Sequence, residues 1–448
     1  MITTNRRSFL KTATAAGAGL FVAPHISKAG VSKSKANGEI NIAFIGVGGR
    51  GRGHLARSAK TEGVNITAFC DIDPDAVIKT QKILTDLGKP EAEVYSDGEY
   101  AFKKMLERDD IDGVIIATPW LWHSRMAVAT MKAGKYVAVE VSAANTMEEC
   151  WDLVDTSEET GMPCMILENV NYRRDVMAVM NMVKQGIFGE IVHARCGYRH
   201  NLLGIKFNDD LKSGEGAFGE ARWRTLHSLK RNADVYPTHG LGPIAAMLDI
   251  NRGNRFLYLT STASKAVGLK DYIEEHPKGG KDHPYARLPW KQGDVITSTI
   301  KTANGETIIV THDCNLPRPY SLNFSVQGTD GITDFDIGSP RIYVEGVSEE
   351  HKWGDFKAWQ DKYDHPLWKK YGEHAEGSGH GGMDFFITRE FINAVKEQRQ
   401  PVMDVYDAAA WSAVTPLSEA SIAQNSAPQY FPDFTRGNWI KRKPVEFK

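Results

Sequence analysis

A short apolar run, residues 40–45, leads into Gly46-Val47-Gly48-Gly49-Arg50-Gly51. The glycines at 46, 48 and 51 have the spacing in which the first permits a tight turn, the second lets backbone approach a pyrophosphate, and the third lets the next helix pack closely. A strand feeding such a turn predicts a dinucleotide held on a helix N-terminus, with Gly46, Gly48, Gly49, Arg50 and Gly51 around it. A second apolar run, 64–70, ends in Asp71, twenty residues past Gly51. A carboxylate there accepts both ribose hydroxyls and repels a 2′-phosphate, which favours NAD over NADP. Arg50 and Arg52 blur that preference, because arginine near the turn also suits a phosphate.

The chain starts with a different signal. Asn5-Arg6-Arg7-Ser8-Phe9-Leu10-Lys11 precedes a small-residue apolar stretch, 12–24, and Ser27-Lys28-Ala29 offers a cleavage point. This pattern predicts a twin-arginine export leader over residues 1–30. The apolar stretch is too short to span a bilayer, and the mature chain is expected to be soluble and periplasmic or otherwise extracytoplasmic. Because that route moves folded proteins into a space poor in free nicotinamide, NAD is expected to be loaded before export and kept. A trapped cofactor suits chemistry that returns the hydride in each turnover.

Composition sets limits. With 448 residues, 42% apolar and 25% charged, the chain has room for two globular domains. Its formal net charge of −2 argues against nucleic acid or anionic membrane as a partner. Cysteines 70, 150, 164, 196 and 314 are an odd number scattered in apolar runs. They read as buried thiols, and no metal-ligand spacing is present.

Strand and helix patterns then alternate, with helices expected at 74–88, 97–108, 122–133 and 146–160, and strands at 112–118, 136–141 and 162–168. This is the pattern of an α/β doubly wound parallel sheet, a Rossmann domain over 38–170, whose ligands lie at the carboxyl ends of its strands. Those ends supply Trp120, Leu121, Trp122, His123, Glu140, Val141 and Asn169 as further cofactor contacts. Past a helix at 174–185, strand-like runs at 190–200, 255–264, 295–303, 306–314, 320–328 and 341–345 predict an α+β domain, 171–400, with a large open, mostly antiparallel sheet. Segments 268–293 and 346–380 read as long loops over the sheet or arms to a neighbouring subunit. Helices at 383–397 and 404–424 return the 401–448 tail to the first domain.

The strand ends resemble the Gfo/Idh/MocA oxidoreductases, but Glu140-Val141-Ser142 stands where dehydrogenases of that family carry Glu-Lys-Pro. Without that lysine a standard dehydrogenase is disfavoured. Leu167 to Tyr172, Arg222-Trp223-Arg224, Tyr236 to Pro243, Asn251 to Phe256 and Gly377 to Asp384 closely resemble glycoside hydrolase family 109, the NAD-dependent α-N-acetylgalactosaminidases, from about residue 38 nearly to the C-terminus. That resemblance implies hydrolysis of a terminal N-acetylgalactosamine by transient oxidation at C3, deprotonation at C2, elimination, water addition and re-reduction. It carries substrate contacts onto Tyr198, Arg224, Tyr236, Pro237, Thr238, His239 and Tyr320. His239 is the expected acceptor of the C3 hydroxyl proton and Tyr198 the C2 base. Two other readings stay open: an exported sugar oxidoreductase that recycles bound NAD(P) on a second carbohydrate, and a non-catalytic sugar binder. A homodimer through the open sheet is expected.

Overall fold

The computed structural model describes residues 38–336 and 340–448, so the leader lies outside the described residues. The first domain is a six-stranded parallel sheet of β1 (Ile40–Ile45), β2 (Val64–Cys70), β3 (Glu93–Tyr95), β4 (Gly113–Ile116), β5 (Tyr136–Val139) and β6 (Cys164–Ile166). Its order, β3-β2-β1-β4-β5-β6, reverses direction between β1 and β4, the switch point at which such sheets open a crevice. Helices cover both faces, so β1, β4, β5 and β6 are buried at every residue and read as continuous apolar runs. The expected parallel sheet is therefore present, with β3 an added short strand that its charged sequence concealed.

The second domain carries nine strands: β7 (Ile191–Arg199), β8 (Phe256–Ala263), β9 (Val295–Thr302), β10 (Thr307–Asp313), β11 (Ser325–Gly328), β12 (Gly331–Asp334), β13 (Arg341–Val344), β14 (Gly354–Asp355) and β15 (Gln429–Tyr430). They run in the order β14-β13-β12-β11-β7-β10-β9-β8-β15, antiparallel except for the β7/β10 pair. Helix Thr238–Met247 lies on β7 and helix Val414–Ala423 on β8, so one hydrophobic core runs continuously through both domains.

Two segments read as loops are corrected. Within 268–293, helix Gly268–Glu275 puts Leu269 and Ile273 one turn apart against Phe207, Leu211 and Ala286, making a small separate core. Within 346–380, helix Phe356–Tyr363 is capped by the Asp355 side chain, and helix Pro366–Ala375 starts on a proline at its first turn. Phe356, Tyr363, Leu367 and Trp368 join the main core, and Trp368 donates its indole N–H to the Tyr172 carbonyl at 2.8 Å. Both segments are too short and too rich in Gly, Pro and His for periodicity to show. The run read as a strand from 320 starts only at Ser325.

All five cysteines are buried and unpaired. Among the described residues, no helix is long and apolar enough to cross a membrane, and no cluster of His, Cys, Asp and Glu is arranged to hold a metal.

Candidate active site

The glycine turn leaves room for a phosphate. A Cβ on Gly51 would sit 1.9 Å from the Gly46 carbonyl oxygen, so the turn closes only with glycine there, whereas a Cβ on Gly48 or Gly49 would meet nothing within 4 Å. Helix Gly49–Ala59 begins with no side-chain cap and no acid in its first turn, leaving its leading N–H groups free for an anion. Asp71 is fixed by accepting the N–H groups of Val47 at 2.7 Å and Asp73 at 2.9 Å. This arrangement fits a dinucleotide, with the Asp71 carboxylate at the ribose position.

Arg50 crosses the turn and joins two domains. Its Nε lies 2.5 Å from Glu140 at the end of β5, and its Nη1 lies 2.6 Å from Asp384 on helix Met383–Lys396. His54 presents Nε2 to Glu140 at 2.8 Å; Asn169 donates to Asp384 at 2.9 Å, and His380 Nδ1 lies 2.8 Å from the same carboxylate. Burial alone would raise the Glu140 carboxyl, but Arg50 and His54 hold it well below the usual carboxylate range. Asp384 is likewise held low against burial, by its hydrogen bond with His380 and by Arg50 and Arg57. Burial, reinforced by Arg50, pushes His54 down to about 4. This end of the cleft is thus a set of fixed charges.

The segment after β4 divides its residues. His123 is buried, its Nδ1 2.8 Å from the Ser142 carbonyl and its Nε2 2.7 Å from the Thr118 carbonyl, which ties the β4 end to the β5 end. Val141 turns its N–H onto Glu140 at 3.2 Å. Leu121 is exposed, and Trp122 packs edge-on against Tyr100. Trp120 is buried, with ring centroids 4.8 Å from Trp223 and 5.5 Å from Tyr236, and the Arg224 guanidinium stands 5.0 Å over it. Trp120 is therefore the floor of a second, aromatic pocket.

That pocket depends on two close approaches, one to backbone and one to a side chain. Helix Thr238–Met247, which begins after Tyr236 and Pro237, carries His239 in its first turn. A Cβ on Gly240 would lie 2.3 Å from the Gly197 nitrogen, and one on Gly242 would lie 2.8 Å from Glu168 Cγ. The two glycines let the helix press onto β7, which carries Tyr198, and onto the buried carboxylate that ends β6. The His239 Nδ1 lies 2.8 and 2.9 Å from the two Glu168 oxygens. Donating its Nδ1 proton there leaves Nε2 as the basic atom, 3.4 Å from the Tyr236 hydroxyl.

Tyr198 contacts most of the remaining groups. Its ring centroid lies 4.6 Å from Tyr236, 5.3 Å from His239 and 6.2 Å from Tyr320, and its hydroxyl lies 3.1 Å from His200 Nδ1. Burial raises the Tyr198 phenol well above its ordinary value, opposed by Arg224. Arg224 is buried, ion-paired with Glu220, and 4.9 Å over the Tyr236 ring. Thr238 is fully buried, with its hydroxyl unpartnered. Tyr320 is half exposed at the rim.

The structure therefore brings Tyr198, Arg224, Tyr236, His239 and Tyr320 into one pocket, with Pro237 and the buried Thr238 at the start of the helix that carries His239, and Arg50, Glu140, Val141 and Asn169 around the glycine turn. Sequence reasoning missed the support that Glu168 gives His239, the contact of His200 with Tyr198, and the reach of Asp384 into the charged end. Two of these left a signal: Glu168 ends a parallel strand as Asp71 and Glu140 do, and His200 lies two positions beyond Tyr198, on the same side of an extended chain. The Asn251 to Phe256 segment is structural: Arg252 is buried and forks onto Asp407 at 2.7 and 2.6 Å, the acid that completes the capping box of helix Val405–Ser412.

Comparison with known proteins places this geometry. Residues 172–441 match the C-terminal domain of glycosyl hydrolase 109, and residues 40–167 match the Gfo/Idh/MocA oxidoreductase family's NAD-binding Rossmann fold. The chain is 50% identical to the alpha-N-acetylgalactosaminidase of Tannerella forsythia and 49% identical to a glycosyl hydrolase family 109 protein of Parabacteroides distasonis, each over 98% of both chains. Among solved structures, a levoglucosan dehydrogenase in complex with NADH and levoglucosan shares the fold, with a TM-score of 0.64 at 19% identity, over 88% of this chain and 100% of that one. The chain belongs to glycosyl hydrolase family 109, as a glycoside hydrolase whose first domain is the NAD-binding Rossmann fold of the Gfo/Idh/MocA oxidoreductases.

Proposed function

We propose that the enzyme removes terminal α-linked N-acetylgalactosamine by oxidation and elimination, with NAD retained throughout. The observation that carries this reading is the His239–Glu168 pair beside Tyr198, two separate proton-handling groups in a pocket lined by aromatic rings. NAD, which the glycine turn and Asp71 would hold, would supply reversible hydride exchange with C3 of the sugar, so that the C2 proton becomes labile and the anomeric group can leave with no net redox change.

His239 takes the C3 hydroxyl proton on Nε2, and Glu168 stabilises the imidazolium that forms. Tyr198 takes the C2 proton, and Arg224 supplies donors to the sugar oxygens or its acetamido group. The aromatic lining, with Trp120 at its floor, limits the water around these groups. No flanking pair of carboxylates at displacement spacing is needed. The retained nucleotide is supported by the Arg50 bridge across the turn, and the leader pattern at residues 5–11 supports export of the loaded chain. The same reading includes a dimer through the open sheet, checked by light scattering.

The test is turnover of an aryl α-N-acetylgalactosaminide bearing deuterium at C2, in light water with no electron acceptor. Aglycone release with loss of the label supports the mechanism. Hydrolysis with the label intact means direct displacement, and no hydrolysis returns the chain to the oxidoreductase reading.

A further inference from the structure

The two proton transfers of the proposed reaction meet separate imidazoles. His239 is committed on one nitrogen to Glu168, with its other nitrogen 3.4 Å from the Tyr236 hydroxyl. The Tyr198 hydroxyl instead has His200 Nδ1 as its hydrogen-bond partner, at 3.1 Å. The geometry holding that partner is firm. The β7 strand ends at Arg199, and the His200 N–H donates to the Asp313 carbonyl at 2.9 Å, continuing the pairing with β10. The His200 ring stands edge-on to Tyr198 at 5.7 Å and to Tyr320 at 5.2 Å, so two rings fix its orientation.

We propose that His200 is a positioning and proton-relay residue that acts through Tyr198, accepting the phenol proton as Tyr198 deprotonates the sugar at C2. This deepens the glycosidase reading and rests on it. The Tyr198 O–H bond breaks as the His200 Nδ1–H bond forms. The phenolate oxygen then takes the C2 proton, the C2–H electron pair becomes the C1–C2 double bond, and the aglycone leaves C1 with its bonding pair. On addition of water the path reverses: Tyr198 returns a proton to C2 and recovers one from His200. No oxidant or further reactant enters this relay.

A relay answers a difficulty in the pocket itself. A buried phenol with its proton held tightly is a poor base at neutral pH unless a neighbour takes that proton. The groups facing His200 are Tyr198, Tyr320, Arg224, His239 and Glu220; burial, Arg224 and His239 disfavour its charged form, and Glu220 opposes them. These influences together favour the uncharged imidazole, whose Nδ1 can accept the hydrogen bond of the Tyr198 hydroxyl.

The test compares the unsubstituted enzyme with His200→Asn, His200→Gln, Tyr198→Phe and the Tyr198→Phe/His200→Asn double variant on the C2-deuterated aryl α-N-acetylgalactosaminide. Asparagine can accept the phenol's hydrogen bond at about the place of Nδ1, yet it cannot carry the proton. Expected is a fall in kcat of about 100-fold in both single His200 variants with KM little changed. The C2 deuterium isotope effect on kcat should rise, and His200→Asn should add nothing to Tyr198→Phe. Recovery of activity in His200→Asn, an unchanged isotope effect, or multiplicative losses in the double variant would overturn the relay and leave the glycosidase reading standing. Absence of turnover by the unsubstituted enzyme sinks both.

Discussion

The two ends of the cleft solve opposite problems with opposite materials. Around the glycine turn, Arg50, Arg57, Glu140 and Asp384 form a network in which each carboxylate is held ionised against burial. Across the cleft, Tyr198, Tyr236, Trp120 and His239 make a pocket of rings, with the Arg224–Glu220 ion pair beside it and Glu168 behind His239. Fixed charge suits a ligand that is itself charged. In the proposed reaction, paired imidazole and phenol groups suit a neutral sugar that is deprotonated and reprotonated in every cycle.

Substitutions at each end sharpen this contrast, and the largest effect is expected where backbone meets backbone. Gly240→Ala puts a carbon 2.3 Å from the Gly197 nitrogen, so the helix carrying His239 must move off β7; a loss of more than about 4 kcal/mol in urea unfolding, with no turnover, is expected. His239→Gln should lower kcat by about 10³-fold while leaving the melting temperature nearly unchanged, because an amide there can still donate to the buried Glu168 carboxylate yet cannot take a proton. Glu140→Gln should do the reverse: removing one partner of a buried pair costs about 3 kcal/mol of stability, seen by calorimetry, and loosens the bound nucleotide. If Glu140→Gln altered only turnover, or His239→Gln only stability, the division between the two ends would fail.

Acid should act on both ends through imidazoles hidden as neutral groups. His54 at the charged end and His227 beneath the aromatic one are each pushed down to about 4, chiefly by burial. Their unfolded values lie near 6.5, so between those limits the unfolded chain binds the extra protons and stability falls as pH is lowered from about 6.5 to about 4. A loss of about 2–3 kcal/mol for each is expected, and His227→Gln should flatten the slope of melting temperature against pH. Glu140 and Asp384, whose folded values are depressed, add their own loss only below about pH 4. The smallest effect expected is at Asp71: alanine there should weaken NAD about tenfold and narrow the preference over NADP, measured by titration of nucleotide-stripped protein.

Much of this was legible in the sequence for physical reasons. The glycine spacing, Asp71 and the fully apolar strands report local constraints, since a tight turn or a strand buried on both faces admits few residues. The nine-stranded sheet was legible in six of its strands, because the alternation in runs such as 295–302 marks a half-covered face. What stayed hidden depends on partners far along the chain. Nothing near Asp384 says that its carboxylate meets Arg50, 334 residues away, and nothing near Glu168 says that two glycines of a later helix will clear a path for His239. Helix Phe356–Tyr363 was hidden because its stability comes from a cap and from burial of Phe356 and Tyr363 rather than from a long periodic face.

The contact between Gly240 and Gly197 also limits how such an enzyme can be altered. Where a catalytic group is placed by a side chain, neighbouring substitutions can shift it by fractions of an ångström and selection can tune the result. Here the placement is set by two main chains pressed together, which leaves no intermediate positions to sample. On the proposed reading, variants selected for new glycans should therefore collect at the rim, around the half-exposed Tyr320, while the centre around His239 passes unchanged from one specificity to the next.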